Sequence, residues 1–402
     1  MDRQYIVTER AHFMCPNMHF GILFSIDKKY DNNRIRDVIR SLSEAYPLLK
    51  CLIANDSSVK IYYALQKQLV IRCIEMNSLE SLVDHYRKIS ESGWDVYSEG
   101  LLRIHTYPRY DGFEILFVAH HLLCDGRGLL GLATSFANSY VKGIEPVYTK
   151  ECLIKSLKDL PAGSDLPWIS KVVINSANKK WKKENHKVDY SDYLNFEKDY
   201  IKKNKLKISF DTKSQEELIS LTDLCHNNNI SINDYLIAKM MQDESINKVV
   251  IAADIRKYLS IYKEGSLGNF STAFSVVCNS KSNNLVEVAK NVSRKIQQQV
   301  NSPKKRMLVL ACYLRMNPEL IDAVAISTLG GYSSNAGMFV GSNMFGYKKR
   351  CGYSITNLGK IESDTITKAI FIPPASPANK KTVGVVTVNG TMNTCVITAI
   401  KQ

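Results

Sequence analysis

The sequence is poor in the features that mark several protein classes. No apolar run reaches the roughly 20 residues that a membrane-spanning helix requires, so none is expected. Met1-Asp2-Arg3-Gln4 lacks the basic and apolar regions that begin a signal peptide, and a cytoplasmic location is expected. The 10 cysteines show no CxxC or other metal-like spacing. Several, such as Cys73 and Cys278, sit in strand-like apolar contexts, and the set reads as reduced, mostly buried thiols. No internal repeat is evident, which argues against a solenoid or propeller. Histidine is scarce, at 8 of 402 residues.

Acidic residues fall short of basic ones, and the net charge is +14. The excess lies in runs at Lys179-Lys180-Trp181-Lys182-Lys183, 202–207, Lys304-Lys305-Arg306, Lys348-Lys349-Arg350 and Lys380-Lys381. These are dispersed and no nucleic-acid module accompanies them, so no nucleic-acid partner is expected. A basic surface favours acidic partners: phosphate groups, an acidic protein or an anionic lipid.

What is present is globular. Hydrophobic content is 45% and charged content 23%. A chain of 402 residues exceeds one core, so two lobes are expected, over 1–165 and 194–402. The stretch 166–193, following Pro161-Ala162-Gly163 and containing Pro167 and a lysine run, reads as a crossover linker. Periodicity predicts strands at 19–26, 101–107 and 114–120, with helices at 33–46, 79–90 and from Gly126 to about Tyr140. Further on it predicts strands at 207–210, 249–253 and 272–278, and helices at 214–227, 232–242, 285–300 and 318–327. Asn389-Gly390 between β-branched runs marks a hairpin over 383–388 and 392–400. Helices and strands in mixed order imply an α/β (α+β) fold with mixed sheets.

The run from Ile115 to Gly126 carries the most information. Leu116, Phe117, Val118 and Ala119 make a continuous apolar strand that ends on His120 and His121. Successive strand side chains point to opposite faces, so the imidazoles should diverge and only one can serve as a base in a cavity. Asp125 stands immediately before an apolar-periodic stretch and suits its N-cap.

His120-His121-Leu122-Leu123-Cys124-Asp125-Gly126 resembles the HHxxxDG signature of the acyltransferases related to condensation domains and chloramphenicol acetyltransferase. Other fragments are similar to that family in order: Tyr46-Pro47-Leu48-Leu49-Lys50, Gly100-Leu101-Leu102-Arg103-Ile104, Ser231-Ile232-Asn233-Asp234-Tyr235-Leu236, Ala253-Asp254-Ile255-Arg256 with Gly268-Asn269-Phe270, and Ser354-Ile355-Thr356-Asn357-Leu358-Gly359. The family's DFGWG segment is absent; Phe345-Gly346-Tyr347 is a poor echo.

The resemblance implies two sandwich lobes with an active-site tunnel between them and a bridging strand near 351–359. It implies acyl transfer from a thioester, acyl-coenzyme A or a phosphopantetheine-bound acyl or peptidyl carrier protein, to an alcohol or amine. His121 is then the general base, taking the acceptor's proton and returning it to the thiolate. His120 holds the loop. Asp125 orients, in a bidentate pair with Arg256. The Gly126 amide supports the oxyanion, and Asn357 approaches from the bridging strand. Ser354 and Thr356 could offer hydroxyls, one of the two facing away. A monomer is expected.

Other readings remain open at this level. Cys124 could be a nucleophile. His120, His121 and Asp125 could ligate a metal, although diverging imidazoles argue against it and no metal is expected. A noncatalytic module could keep the fold and bind coenzyme A or a carrier protein. His19 and His105, isolated on strand-like runs, read as core residues.

Overall fold

The structure, a computed structural model, describes residues 3–56, 59–76, 81–279 and 282–401. Its first large sheet has five strands in the order Lys368–Ile372, His19–Ile26, Phe113–His120, Leu102–Pro108, Arg72–Glu75. All neighbours are antiparallel except the last pair. His19–Ile26 is buried throughout and Phe113–His120 at every position but Glu114, as a centre covered on both faces demands. The register sets His19 opposite His120 at one end.

The second sheet has six strands in the order Ser271–Val277, Lys248–Asp254, Gly352–Ile361, Asn379–Val388, Thr391–Lys401, Asn204–Lys213. Gly352–Ile361 is parallel to both neighbours and the other pairs are antiparallel. Helices Gln215–Asn227, Ile232–Asp243 and Leu285–Val300 share a separate core with this sheet, built on Leu221, Ile237, Val292, Ile355 and Val385. A small antiparallel sheet of Gln4–Tyr5, Ile61–Leu65 and Cys51–Asn55 completes the set.

Helix ends follow their caps. Asp31 accepts from the Asn33 and Arg34 amides ahead of Asn32–Ala45, whose Ile35, Val38, Ile39 and Leu42 form one buried stripe. Ser214 and Ser231 make capping boxes with Glu217 and Asp234. The helix expected over 79–90 is seen as Leu82–Glu91, capped by Ser81; positions 79 and 80 lie outside the described residues.

Two features differ from the sequence expectation. The segment 166–193, expected as a crossover linker with no element assigned to it, is largely helical: Trp168–Glu184 is a 17-residue helix with Ile174, Ala177 and Trp181 buried, and Tyr190–Lys203 follows it. The lysine run occupies the face opposite that stripe, which hid the helical period. The strand near 351–359 lies inside the six-stranded sheet, and the strand that crosses is Lys368–Ile372, paired with His19–Ile26. Ala369 to Ile372 are all buried, so this strand completes the first sheet rather than decorating its edge.

Candidate active site

The His pair sits at the end of a buried strand and its two rings do diverge. His120 is buried; its Nδ1 accepts from the Leu122 amide at 3.2 Å and its ring meets Trp94 edge-on at 5.7 Å between centroids. Burial pushes its pKa well below the ordinary value, with His19, His121 and Arg103 adding to the effect. A neutral, internally bonded His120 fixes the turn that follows. His19, bonded through Nε2 to Ser90 at 2.9 Å, and His105, at 3.2 Å from His85, are core residues pushed down to about 3 by burial.

His121 turns the other way and is half-buried. Asn269 holds it with both ends of its amide: Nδ2 donates to the His121 carbonyl at 2.7 Å, and Oδ1 lies 3.1 Å from His121 Nδ1. A backbone carbonyl only accepts, so the Asn269 NH2 must face it and the Asn269 oxygen must face the ring. Nδ1 therefore carries the proton, and Nε2 keeps the lone pair a base needs. Burial lowers the His121 pKa, while Asn269 and Asp125 act in the opposite direction, so the ring is neutral near pH 7. His12 stacks on the ring at 4.4 Å and Phe20 lies at 4.7 Å, which restricts its rotation.

Asp125 is buried and fully committed. Oδ1 accepts from the Gly128 amide and from Arg256 Nη2, both at 2.8 Å, and Oδ2 accepts from the Phe270 amide at 2.7 Å. The Arg256 contact is thus single-pronged, not bidentate: its Nη1 goes to Asp254 at 3.1 Å, and Phe270 occupies the second carboxylate oxygen. By capping Gly126–Lys142 and gripping Phe270, Asp125 fixes the segment that presents Asn269. It acts on His121 through that segment.

His121, Asp125, Gly126, Arg127, Arg256, Thr356 and Asn357 line one cavity of about 160 Å³, closed by Phe20, Leu358, Phe371 and Pro374. The cavity therefore draws its walls from both large sheets, where a tunnel between lobes was expected. Leu358 and Phe371 close against the backbone at Gly126, where a Cβ would lie 2.7 Å from Leu358 Cδ2 and 3.2 Å from Phe371 Cζ. Asn357 Oδ1 accepts from the Gly359 amide at 2.8 Å, leaving its NH2 as a donor. A register shift after Asn357 lets adjacent Thr356 and Asn357 both reach the cavity. Ser354 does not join them. Two positions from Thr356, it shares the strand face rather than facing away, but it is buried against Thr382 and Asn379.

Cys124 is completely buried and burial holds its thiol well above the ordinary value, which removes the thiolate a nucleophile needs. The diverging imidazoles and the spent Asp125 carboxylate do not converge on a point where a metal could sit. Sequence reasoning quoted Asn269 without a role and passed over His12 and Arg127. A carbonyl-bearing side chain in a GN pair was the available signal for Asn269, and nothing marked His12. At the other end of the same strands, Val250, Ser275 and Tyr353 line a wider groove of about 1420 Å³.

No protein-family model and no curated protein matches the chain. Solved structures do. It is similar to a trichothecene 15-O-acetyltransferase from Fusarium sporotrichioides, 11% identical, over 100% of this chain and 91% of that one with a TM-score of 0.62. Polyketide synthase associated protein 5 from Mycobacterium tuberculosis is 12% identical over 100% and 93%, with a TM-score of 0.60. The first condensation domain of the calcium-dependent antibiotic synthetase is 10% identical over 99% and 91%, with a TM-score of 0.59. At these identities the likeness is one of fold: the chain has the two-lobed fold shared by condensation domains and chloramphenicol-acetyltransferase-like enzymes.

Proposed function

We propose that the chain is an acyltransferase that moves an acyl group from a thioester to a hydroxyl or amine, with His121 as general base. The observation that carries this reading is the fixed tautomer of His121: Nδ1 is committed to Asn269 and an unprotonated Nε2 remains in a ring that lines the cavity. Nε2 takes the acceptor's proton as its oxygen or nitrogen attacks the thioester carbonyl. The tetrahedral oxyanion draws on the Gly126 amide at a helix N-terminus and on the Asn357 NH2. Its collapse breaks the carbon–sulfur bond, and the imidazolium returns the proton to the leaving thiolate.

Coenzyme A thioesters and carrier-bound thioesters present the same reacting group, and the fold's neighbours include both an acetyltransferase and condensation domains. The test is thiol release from a panel of acyl-coenzyme A thioesters with mixed alcohols and amines. His121→Ala should lower the rate by about 10²- to 10⁴-fold. If His121→Ala releases thiol at the wild-type rate, the base assignment fails. If neither protein releases thiol, from coenzyme A or from an acyl carrier protein, the chain is a noncatalytic module.

A further inference from the structure

The helix Trp168–Glu184 has a second face that the acyl-transfer reading does not use. Its inner stripe, Ile174, Ala177 and Trp181, is buried. Polar contacts fix that side to the body of the protein. Asn178 donates to the Arg315 carbonyl at 3.0 Å and accepts from the Asn317 amide at 2.8 Å, while Glu184 accepts from Ser334 at 2.7 Å and from the Ala336 amide at 3.0 Å.

The outer face is apolar at one end and cationic at the other. Trp168 is 73% exposed, Ile169 59% and Val172 56%. At 3.6 residues per turn, Lys179 and Lys183 fall on the same side as Trp168 and Val172, and Lys180 lies beside Ile169. All three are exposed, and none has a carboxylate partner among the described residues. The adjoining helix, Asn335–Asn343, adds exposed Met338 and Phe339. A tryptophan and two branched aliphatics held in water on a rigid helix are unfavourable unless something covers them.

The geometry points to an anionic lipid surface as the partner of this face. Trp168, Ile169 and Val172 would enter the boundary between headgroups and acyl chains, and the lysines would meet lipid phosphates and carboxylates. Charge complementarity selects anionic over zwitterionic lipid, consistent with the net charge of +14. A purely electrostatic protein contact would use the lysines without needing the exposed tryptophan. The inference stands apart from the acyl-transfer reading.

The experiment is sedimentation of the full chain with vesicles of phosphatidylcholine, alone or mixed with phosphatidylserine, together with tryptophan fluorescence. Trp94 and Trp181 are buried, so a change in emission reports Trp168. Binding should be confined to the mixed vesicles and weaken with salt, and the emission should shift to the blue. Trp168→Ser with Ile169→Ser, or Lys179→Glu with Lys183→Glu, should each reduce binding by roughly tenfold or more. These positions are exposed, and an unchanged thermal midpoint would confirm that the variants fold. Sedimentation equal to that with phosphatidylcholine alone overturns the proposal. So does unaltered binding of the Trp168→Ser variant, or loss in the lysine variant of binding to an acidic carrier protein while vesicles are ignored.

Discussion

The base proposed here, His121, can act in one tautomer only, and the group that selects that tautomer comes from 148 positions away. Asn269→Ala should therefore lower kcat by about 10- to 100-fold, part of what a positioned general base contributes, with little effect on KM. Asn269→Asp keeps an acceptor for Nδ1–H and should retain more activity than the alanine variant. A pH profile separates this role from a merely structural one. Because burial lowers the His121 pKa, the acid limb of kcat/KM should lie below 6.5 in the wild type. Since Asn269 raises that pKa, the limb should move further down in Asn269→Ala. A limb above 6.5, or one that Asn269→Ala leaves in place, would contradict the assignment. The residues of the motif were legible because strand period and cap position are local properties. Asn269 and His12 were not, because only the folded chain brings them to His121.

At the scale of elements, the helix Gly126–Lys142 owes both its start and its attachment to one carboxylate. Asp125→Ala removes an N-cap, strips the buried Phe270 amide of its acceptor and leaves the Arg256 guanidinium with Asp254 alone. The loss should be about 3–5 kcal/mol, the range for breaking a buried ion pair, measured by urea unfolding. A variant of wild-type stability with no activity would show that Asp125 serves chemistry instead. The short helix Thr8–His12 behaves differently. It carries His12 against His121 and also Glu9, whose two carboxylate oxygens are buried without partners among the described residues. Burial raises the Glu9 pKa from 4.5 to about 7. The folded state thus binds the proton more tightly, and the stability this contributes is present below pH 4.5 and lost as pH rises through 7. Glu9→Gln should be the more stable protein at pH 8, by on the order of 1–3 kcal/mol, while the difference closes at pH 4. Unfolding midpoints at the two pH values give the comparison. Helix limits were read well where a cap and an apolar stripe coincide, as in Asn32–Ala45, and poorly where lysines crowd the outer face, as in Trp168–Glu184.

For the whole molecule, the division into an N-terminal and a C-terminal lobe is crossed by the chain itself. Lys368–Ile372 pairs with His19–Ile26 along five registered positions, a contact more than 340 residues apart in sequence. Fold class could be read from local periodicity, whereas this pairing could not, since no local pattern records which distant strand completes a sheet. Without that strand, His19–Ile26, buried at every position, becomes a sheet edge and Phe371 no longer covers Phe20. A fragment ending at residue 203 also lacks Arg256, Asn269 and Phe270, so Asp125 and His121 lose their partners together. Such a fragment should bind a hydrophobic dye and show no cooperative unfolding. Co-expression with residues 204–402 should restore both a cooperative transition and thiol release, because every missing contact is supplied by that segment. A fragment of 1–203 that unfolds cooperatively alone would mean that the first lobe is self-sufficient and that the crossing strand serves the cavity rather than the sheet.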